Sequence, residues 1–412
     1  MALIPRLATN EVLDALRTSR AVGLLGPRQA GKSTLARDLV RGRWKADYLT
    51  LDDQVTRAAA SNDPSGFVAT IDRPTVIDEV QRVPELLLAI KARLDRNDER
   101  GQFLLTGSAN LLRARSVHDA LPGRVDYVFL WSLSQAEIER GSSGLLDELF
   151  DGVVPRVRSE RIGPAAYAER VAAGGYPDAF RRPARSRLRF FESYVGSVGE
   201  AGIRDLASVR RTDVPGRLLR LVASRSAGLL NTASLGRDLG IDQKTAAMHL
   251  LLLEELMLVR RSLPWHGNLG SRQIKSAKVY VTDTGLLCGL IGADAGRIAR
   301  DPAVAGMVFE TFVVMELVKL EIASQMPIET YHYRDRRERE VDILLERPDG
   351  DVVAVEVKSG ASVGRNDLRS LEYLRDRAGA RFKLGVVMYT GERSLRLGDR
   401  LAAVPIQALW TV

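Results

Sequence analysis

A glycine-rich segment near the N-terminus ends in a lysine and a hydroxyl residue. Residues 26–33 read G-x-x-x-x-G-K-[ST], between an apolar run at 21–25 that is typical of a buried strand and a helix-like stretch at 34–40. In such a loop the glycines let backbone amides approach phosphates, Lys32 neutralises the β- and γ-phosphates, and the Ser33 hydroxyl binds Mg²⁺. The sequence therefore predicts a P-loop that binds ATP and Mg²⁺ through Gly26, Pro27, Arg28, Gln29, Ala30, Gly31, Lys32, Ser33 and Thr34.

Two later apolar runs end in polar residues that would complete this site. The run at 75–77 ends in Asp78 and Glu79, so we expect Asp78 to hold Mg²⁺ through water and Glu79 to polarise the attacking water. The run at 102–105 ends in Thr106, which we interpret as a sensor of the γ-phosphate rather than an ordinary polar strand end. One arginine would stabilise transition-state charge, in its own subunit or across a subunit interface. The candidates are Arg113, Arg115 and Arg124, of which Arg124 is preferred.

Four residues in the C-terminal quarter could form a second metal site. Alternation in the strand that ends at Lys358 puts Glu356 and Lys358 on one face, and a tight turn folds Asp342 of the preceding strand back towards them. The two carboxylates could then share Mg²⁺ while Lys358 positions a water. Glu310 or Glu316 would add a further acid, and Glu310 is preferred because both cannot face the site on an ideal helix. The alternative is a hairpin with charged residues on its solvent face.

The middle of the chain has the pattern of a helix-turn-helix. Two helical stretches meet at Gly240, and the second carries Lys244, Thr245 and His249 near its start, where a recognition helix would face a DNA groove. The runs at 259–265 and 278–281 could form the strands of a wing, with its tip at 267–271. Both DNA contact and a packing or lid role remain open for this winged helix.

These motifs resemble those of the AAA-type prokaryotic ATPases that carry a C-terminal domain of unknown function. The matching segments are 26–33, 49–53, 77–81, 105–108, 122–124, 174–177, 278–286, 309–310 and 355–358. For the N-terminal part the resemblance implies an additional-strand P-loop fold, and Lys32, Ser33, Asp78 and Glu79 carry over as nucleotide residues. The predicted C-terminal order is helix, three strands, helix, strand and a last strand near 406–410, and it resembles the core of the PD-(D/E)XK nuclease superfamily. That superfamily includes inactive members retained for binding, so cleavage stays open.

Composition and charge agree with a globular chain. With 412 residues, 45% of them hydrophobic, we expect two to four domains. The lone Cys288 excludes an internal disulfide framework, and no apolar run approaches the roughly 18 residues of a membrane helix, so we expect a cytoplasmic protein without a membrane partner. The net charge is +8, and residues 181–225 hold eleven arginines against four acidic residues. That stretch is either a solvated helical face or a surface for a polyanion.

The predicted fold class is α/β, with four domains in series. They are an AAA-type P-loop ATPase domain at 1–140, a helical connector at 141–214, a winged-helix-like domain at 215–300 and a nuclease-like domain at 301–412. We expect a DNA-associated ATPase in which turnover of Mg–ATP moves the two later domains, and a homo-oligomer at least transiently. The alternative is a regulatory or defence switch whose inactive nuclease-like domain docks a protein partner. A metabolic kinase is disfavoured because no second-substrate pocket is legible.

Overall fold

The computed structural model describes residues 3–108, 123–157, 162–204, 213–265, 276–335 and 337–412, and side chains at 108 and 197–204 are not described. The arginine candidates Arg113 and Arg115 and the predicted wing tip lie outside the described residues. Two units can be distinguished. The N-terminal unit comprises Pro5–Ser132 and Glu255–Met257, and the C-terminal unit comprises Met1–Ile4, Leu133–Glu254 and Leu258–Val412. The finer predicted boundaries at 140, 214 and 300 stay predictions.

The N-terminal unit is an α/β fold around a parallel sheet. Its helices are α1 (Ala8–Thr18), α2 (Lys32–Gly42), α3 (Gln54–Asn62), α4 (Pro64–Ala69) and α5 (Leu86–Arg96). Its strands are β1 (Ala21–Gly26), β2 (Asp47–Thr50), β3 (Thr75–Asp78), β4 (Phe103–Ser108) and β5 (Val125–Phe129). Every residue of β1 and β3 is buried, as expected for central strands of a parallel sheet.

The strand order of this sheet decides where its polar strand ends meet. Among the described residues the order is β2-β3-β4-β1-β5, and all neighbouring pairs are parallel. Strand β4 therefore lies between β1, which leads into the P-loop, and β3, which ends in Asp78. This is the additional-strand arrangement that the resemblance implied. It brings the carboxyl ends of the three strands to one edge, where ligands bind in open α/β sheets.

The C-terminal unit contains the remaining elements. Its helices are α6 (Gln135–Glu139), α7 (Leu145–Phe150), α8 (Pro164–Ala173), α9 (Ala184–Arg204), α10 (Val214–Ala223), α11 (Thr232–Leu239), α12 (Gln243–Glu255), α13 (Thr284–Ile291), α14 (Ala295–Arg300), α15 (Pro302–Leu320), α16 (Arg369–Ala378) and α17 (Ala408–Thr411). Its strands are β6 (Gly228–Leu229), β7 (Val259–Pro264), β8 (Lys278–Val281), β9 (Glu329–Arg334), β10 (Glu340–Glu346), β11 (Val352–Lys358), β12 (Phe382–Tyr389), β13 (Leu395–Gly398) and β14 (Leu401–Pro405).

One mixed sheet runs through the C-terminal unit. Within the described ranges its nine strands follow the order β13-β14-β12-β11-β10-β9-β7-β8-β6. The hairpin β7–β8, predicted as a wing, joins the C-terminal strands because β7 pairs in parallel with β9, with Leu263 opposite Tyr331. The backbone amide of Trp265 extends this pairing by donating to the His332 carbonyl at 2.7 Å. The predicted wing strands are therefore part of the sheet that also holds Asp342 and Glu356.

Most predicted elements of this unit occur where they were expected. Helices α11 and α12 flank Gly240, whose φ of 68° ends α11 in the left-handed conformation. The order α15, β9, β10, β11, α16, β12 matches the predicted one. The strand predicted near 406–410 is wrong, because β14 ends at Pro405 and the following residues form α17. The winged-helix and nuclease-like assignments stay predictions.

Helix α15 is apolar on nearly all sides and lies in the interior. Asp301 caps its N-terminus by accepting from the backbone amides of Ala303 and Val304 at 3.1 and 3.2 Å. A helix that is hydrophobic all round is expected to be a core helix or a membrane span. In the described part of the chain, no helix combines the length and the apolar character needed to cross a bilayer. The charged side chains within α15, at Glu310, Glu316 and Lys319, therefore need internal partners.

Candidate functional site

The P-loop joins the end of β1 to the start of α2. Lys32 opens α2 and is 7% exposed, and its Nζ donates to the carbonyls of Gly26 and Pro27 at 2.9 Å each. Burial lowers the pKa of Lys32 to about 8, although the carboxylates of Glu79 and Asp78 favour its charged form. The loop thus holds a cation at its centre through backbone carbonyls that a phosphate group could replace as the partner.

Close backbone packing fixes the path of this loop. A Cβ at Gly26 would lie 2.2 Å from the carbonyl oxygen of Leu130, so only glycine fits there. Gly31, with φ of 100°, turns the chain into α2 and leaves the first amides of the helix facing the loop. Arg6 donates from its two terminal nitrogens to the carbonyls of Ala30 and Trp131, both at 2.7 Å. The guanidinium therefore ties the loop to the chain that follows β5.

Asp78 is the point where β3, β4 and α2 meet. Its carboxylate accepts hydrogen bonds from Ser33 Oγ at 3.0 Å, from the Tyr48 hydroxyl and from Thr106 Oγ1. Burial, and then the hydrogen bond to Asp78, raise the pKa of Tyr48 well above its usual range. The predicted metal residues Ser33 and Asp78 and the predicted sensor Thr106 are thus in direct contact.

Glu79 follows Asp78 in a left-handed backbone conformation, with φ of 59°. Its backbone amide contacts Thr106 Oγ1 at 3.3 Å, and its carboxylate accepts from Gln81 Nε2. Gln81 fits because Gly107 has no side chain, since a Cβ there would lie 2.6 Å from Gln81 Oε1. Among the described residues that Oε1 atom is buried without a hydrogen-bond partner. The predicted base is therefore held by a neighbour on its own turn.

Arg124 lies at the amino ends of the strands, whereas the P-loop lies at their carboxyl ends. It precedes β5, its carbonyl accepts from the Ala21 amide at the start of β1, and its side chain pairs with Asp95. The P-loop begins at the other end of β1, about 20 Å away for six residues of strand. Of the two roles left open for Arg124, this geometry argues against the one within its own subunit, because the length of β1 separates Arg124 from the P-loop. A role across a subunit interface stays a prediction.

Sequence reasoning missed three residues of this site. Arg6 lies before α1 and Tyr48 lies in β2, and neither residue belongs to a motif of fixed spacing. Gln81 belongs to the segment 77–81, which was recognised only as part of the family resemblance. Only the position of Tyr48 in an apolar run hinted at its role, because that run forms β2, which pairs with β3, the strand that ends in Asp78. Nothing in the sequence pattern indicates the Arg6 contact, which spans 24 residues to Ala30.

The residues predicted for a second metal site surround a lysine that the prediction did not include. Lys278 of β8 is 3% exposed, and its Nζ lies 2.6 Å from Glu340, 2.8 Å from Glu310 and 3.3 Å from Asp342. Glu356 is also buried, and it lies next to the Asp342 carboxyl group. Lys358 instead pairs with Asp367 at 3.5 Å. Among the residues that the structure describes, no group of three or more Asp, Glu, His or Cys side chains is arranged to hold a metal ion.

Electrostatics in this cluster follow from its burial. Burial opposes the charge of Lys278, but Glu310, Asp342 and Glu340 outweigh it and raise its pKa above the usual range. Burial, and next the Asp342 carboxylate, raise the pKa of Glu310 to about 7. Burial and Asp342 also raise the pKa of Glu356 well above its usual value. The cluster thus concentrates acidic groups around one permanently charged ammonium.

Two other predicted residues have structural partners. Glu316, the second choice for an acid on α15, accepts from the Gln135 backbone amide at 2.6 Å and from Lys319 at 2.9 Å, so it belongs to the interior packing of α6 and α15. His249 is 2% exposed, so the expectation that it faces a DNA groove is corrected. At the start of α12, Lys244 is exposed and Thr245 is half-buried.

Comparisons with known proteins divide the chain into three matches. The family described as "AAA domain" matches residues 18–139, "Domain of unknown function (DUF8612)" matches 164–297, and "Domain of unknown function (DUF4143)" matches 305–409. Uncharacterized proteins of Mycobacterium tuberculosis and Mycobacterium bovis are each 31% identical over 421 residues, covering 100% of this chain and 86% of theirs.

Two solved structures are more distant. The Thermotoga maritima RuvB Holliday junction branch migration motor is 17% identical, with a TM-score of 0.30 over 63% of this chain and 90% of that chain. Caenorhabditis elegans PCH-2 is 17% identical, with a TM-score of 0.23 over 61% of this chain and 66% of that chain. TM-scores this low carry no functional inference.

Proposed function

Because the chain belongs to the family of the two mycobacterial proteins and carries an AAA domain, we propose that it binds ATP with Mg²⁺ and hydrolyses the γ-phosphate. The observation that carries this proposal is the convergence on Asp78 of Ser33 from the P-loop and Thr106 from β4. Any buried carboxylate needs hydrogen-bond donors, but two of the donors here are the residues that the motif spacing assigns to a nucleotide site, Ser33 of the P-loop and Thr106 at the end of β4. A nucleotide site needs that meeting point.

The residues present fit a magnesium ion next to a nucleotide. Ser33 Oγ and the Asp78 carboxylate lie 3.0 Å apart, and hydroxyl and carboxylate oxygens are the ligands that Mg²⁺ prefers. These two residues would hold the ion, directly and through water. When bound, Mg²⁺ neutralises negative charge on the phosphate oxygens.

The side chains of this chain then supply binding, positioning and proton transfer. Lys32 moves from the Gly26 and Pro27 carbonyls to the phosphates, and its buried position strengthens that charge pairing. Glu79 takes the proton of the attacking water. Thr106 contacts the Asp78 carboxylate and the Glu79 backbone amide, so it would couple the state of the γ-phosphate to both residues.

The finer part of the proposal is association with DNA, driven by exposed arginines. Arg181, Arg182, Arg185, Arg189, Arg217 and Arg220 are all exposed. Exposed guanidinium groups bind phosphate oxygens and make affinity depend steeply on salt. In this proposal ATP turnover moves the winged-helix-like and nuclease-like parts of the C-terminal unit on DNA. The chain would act as a homo-oligomer, which would also allow Arg124 to serve a neighbouring subunit.

The alternative is a regulatory or defence switch with an inactive nuclease-like domain that docks a protein partner. It is favoured by one observation, the ammonium of Lys278 among the carboxylates that would have to hold a catalytic metal. The two candidates differ in their response to nucleic acid. The first requires ATPase stimulation that falls with salt, and the second requires slow turnover that DNA does not change.

The test measures ATP hydrolysis by the wild type, Lys32→Ala and Glu79→Gln, each with no DNA, single-stranded DNA and double-stranded DNA. We expect Lys32→Ala to abolish binding and turnover, and Glu79→Gln to keep ATP binding while turnover falls roughly 10²- to 10⁴-fold. Exposed Lys45→Ala and Glu85→Gln are the matched controls. Undiminished turnover in Glu79→Gln would remove Glu79 from the base role, and unchanged turnover in Lys32→Ala would reject the ATP site.

The DNA arms of the same experiment separate the two candidates. Stimulation of at least severalfold, lost as salt rises, would favour DNA association. Equal rates with and without DNA, and no cleavage of either substrate with Mg²⁺ or Mn²⁺, would favour the switch.

A further inference from the structure

The acidic cluster of the C-terminal unit is assembled from three separate parts of the chain. Lys278 comes from β8, Glu310 from α15, and Glu340 and Asp342 from β10. Several of its carboxylate oxygens already accept hydrogen bonds from neighbouring groups. Glu310 Oε1 accepts from both Lys278 Nζ and the Tyr280 hydroxyl, at 2.8 and 2.9 Å. The backbone amide of Val357 donates to Asp342 Oδ2 at 3.0 Å, while Asp342 Oδ1 faces Lys278.

We propose that Lys278 is a resident cation, whose ammonium occupies the place that a divalent metal ion would take among Glu310, Glu340 and Asp342. Lys278 Nζ is surrounded by three carboxylate oxygens at distances of 2.6 to 3.3 Å. The ammonium is therefore shared among three acids and does not form a single ion pair. Glu310 and Asp342 are each only 15% exposed, and a cation between them and the more exposed Glu340 offsets the cost of removing their charges from water. The cluster therefore needs a cation, and the chain supplies it from β8.

An ordinary buried ion pair would predict something different. If the acids only balanced a lysine that packing had buried, loss of the ammonium would leave unpaired carboxylates that no metal could satisfy. If the ammonium stands in for a metal, removing the side chain opens a site of three acidic oxygens, the donor type that Mn²⁺ and Mg²⁺ bind. The two cases separate on whether the destabilised variant responds to divalent cations.

The experiment compares the nucleotide-free wild type with Lys278→Ala, Lys278→Met and Lys278→Arg, measuring Tm and Mn²⁺ binding by electron paramagnetic resonance. Lys278→Ala removes both the charge and the side-chain volume. We expect its Tm to fall by on the order of 10 °C and to recover about 5 °C or more in 1 mM Mn²⁺. Lys278→Met fills the same space without charge, so it should lose stability and not recover. Lys278→Arg keeps a cation and should not respond to Mn²⁺.

A further pair of variants locates the bound ion. Lys278→Ala with Asp342→Asn should lose the Mn²⁺ recovery and the Asp342-dependent Mn²⁺ signal. If Lys278→Ala does not fold, Lys278→Ala with Glu310→Gln removes one charge of each sign, keeps two carboxylates, and should bind Mn²⁺ where the wild type does not. The proposal is overturned if wild type binds Mn²⁺ in an Asp342-dependent way, or if neither alanine variant responds to Mn²⁺. None of these readouts uses ATP, so they stand apart from the proposed hydrolysis.

Discussion

A buried lysine with a lowered pKa makes nucleotide binding dependent on pH. Burial makes the charged form of Lys32 less favourable and lowers its pKa to about 8. The carbonyls of Gly26 and Pro27 and the carboxylates of Asp78 and Glu79 compensate only in part. A bound triphosphate would add negative charge directly at Nζ and raise that pKa again. Binding of ATP is therefore coupled to protonation of Lys32.

We predict that the affinity for ATP is constant below about pH 7.5 and weakens above pH 8. Since the bound state takes up the proton, Kd should rise roughly tenfold per pH unit, to about thirtyfold by pH 9.5. Calorimetric titration with a non-hydrolysable ATP analogue and Mg²⁺ between pH 6.5 and 9.5 measures this. Exposed Lys45→Ala should give the same profile as wild type. A flat profile up to pH 9.5 would show that Lys32 keeps its proton over this range and would contradict the lowered pKa.

For single residues, the sequence predicts those that belong to a motif of fixed spacing. It does not predict those that approach the site only in the folded chain. Ser33 and Asp78 were predicted as metal residues and lie in contact, because the P-loop and the strand ending in Asp78 each have a fixed local pattern. Arg6 and Lys278 could not be predicted, because each reaches its partners over more than twenty residues of chain. The position of Arg124 could not be predicted, because strand direction, and not spacing, decides at which end of the strands a flanking residue lies.

At the scale of elements, the P-loop depends on a segment that lies before α1. Arg6 holds the Ala30 carbonyl of the loop and the Trp131 carbonyl after β5 at 2.7 Å each. Charged donors make stronger hydrogen bonds than neutral ones, so this one side chain restrains two backbone segments at once. The loop conformation is thereby fixed before a ligand arrives.

We predict that Arg6→Ala weakens ATP binding about 5- to 30-fold, because the loop loses part of its preorganisation. Titration with the ATP analogue at pH 7 gives the Kd, and circular dichroism gives the folded fraction. Arg17→Ala is the matched control, since Arg17 is exposed on α1 and its guanidinium pairs with Asp14 on the same helix at 2.7 Å. Unchanged affinity in folded Arg6→Ala would rule out the anchoring role.

Helices and strands were easier to predict than their pairing. The apolar runs and the Gly240 turn indicate α11, α12, β7 and β8, because these patterns are local. The pairing of β7 with β9 joins residues 263 and 331, and no local pattern specifies it. The last strand was predicted wrongly because an apolar run as short as 406–410 fits a strand and a buried helical turn equally well.

At the scale of the molecule, buried carboxyl groups set how stability changes with pH. Burial raises the pKa of Glu321 to about 7, and Arg260 and the Thr330 hydroxyl only partly oppose it. In the unfolded chain the pKa is near 4.5, so the folded form binds the proton more tightly between these values. Stability therefore falls as pH rises from about 4.5 to about 7, and this contribution stays constant above that range.

We predict that Glu321→Gln flattens this fall by about 1 to 3 kcal/mol between pH 5 and 8. The amide keeps an acceptor for the Thr330 hydroxyl, which donates to Glu321 at 2.5 Å, and removes the titration. Urea unfolding at pH 5, 6, 7 and 8 followed by tryptophan fluorescence gives the free energies. Exposed Glu329→Gln is the control. Parallel pH curves for wild type and Glu321→Gln would contradict the assignment.

The shared sheet of the C-terminal unit limits how this region can be divided. The two matches to domains of unknown function meet between residues 297 and 305, whereas β7 on one side pairs with β9 on the other. A chain cut there would leave β9 as an open edge, which invites pairing between molecules, and would separate Lys278 from its acids. Neither matched region therefore completes its own sheet. Gene fusions and domain exchanges that keep one of the two regions should keep the other as well.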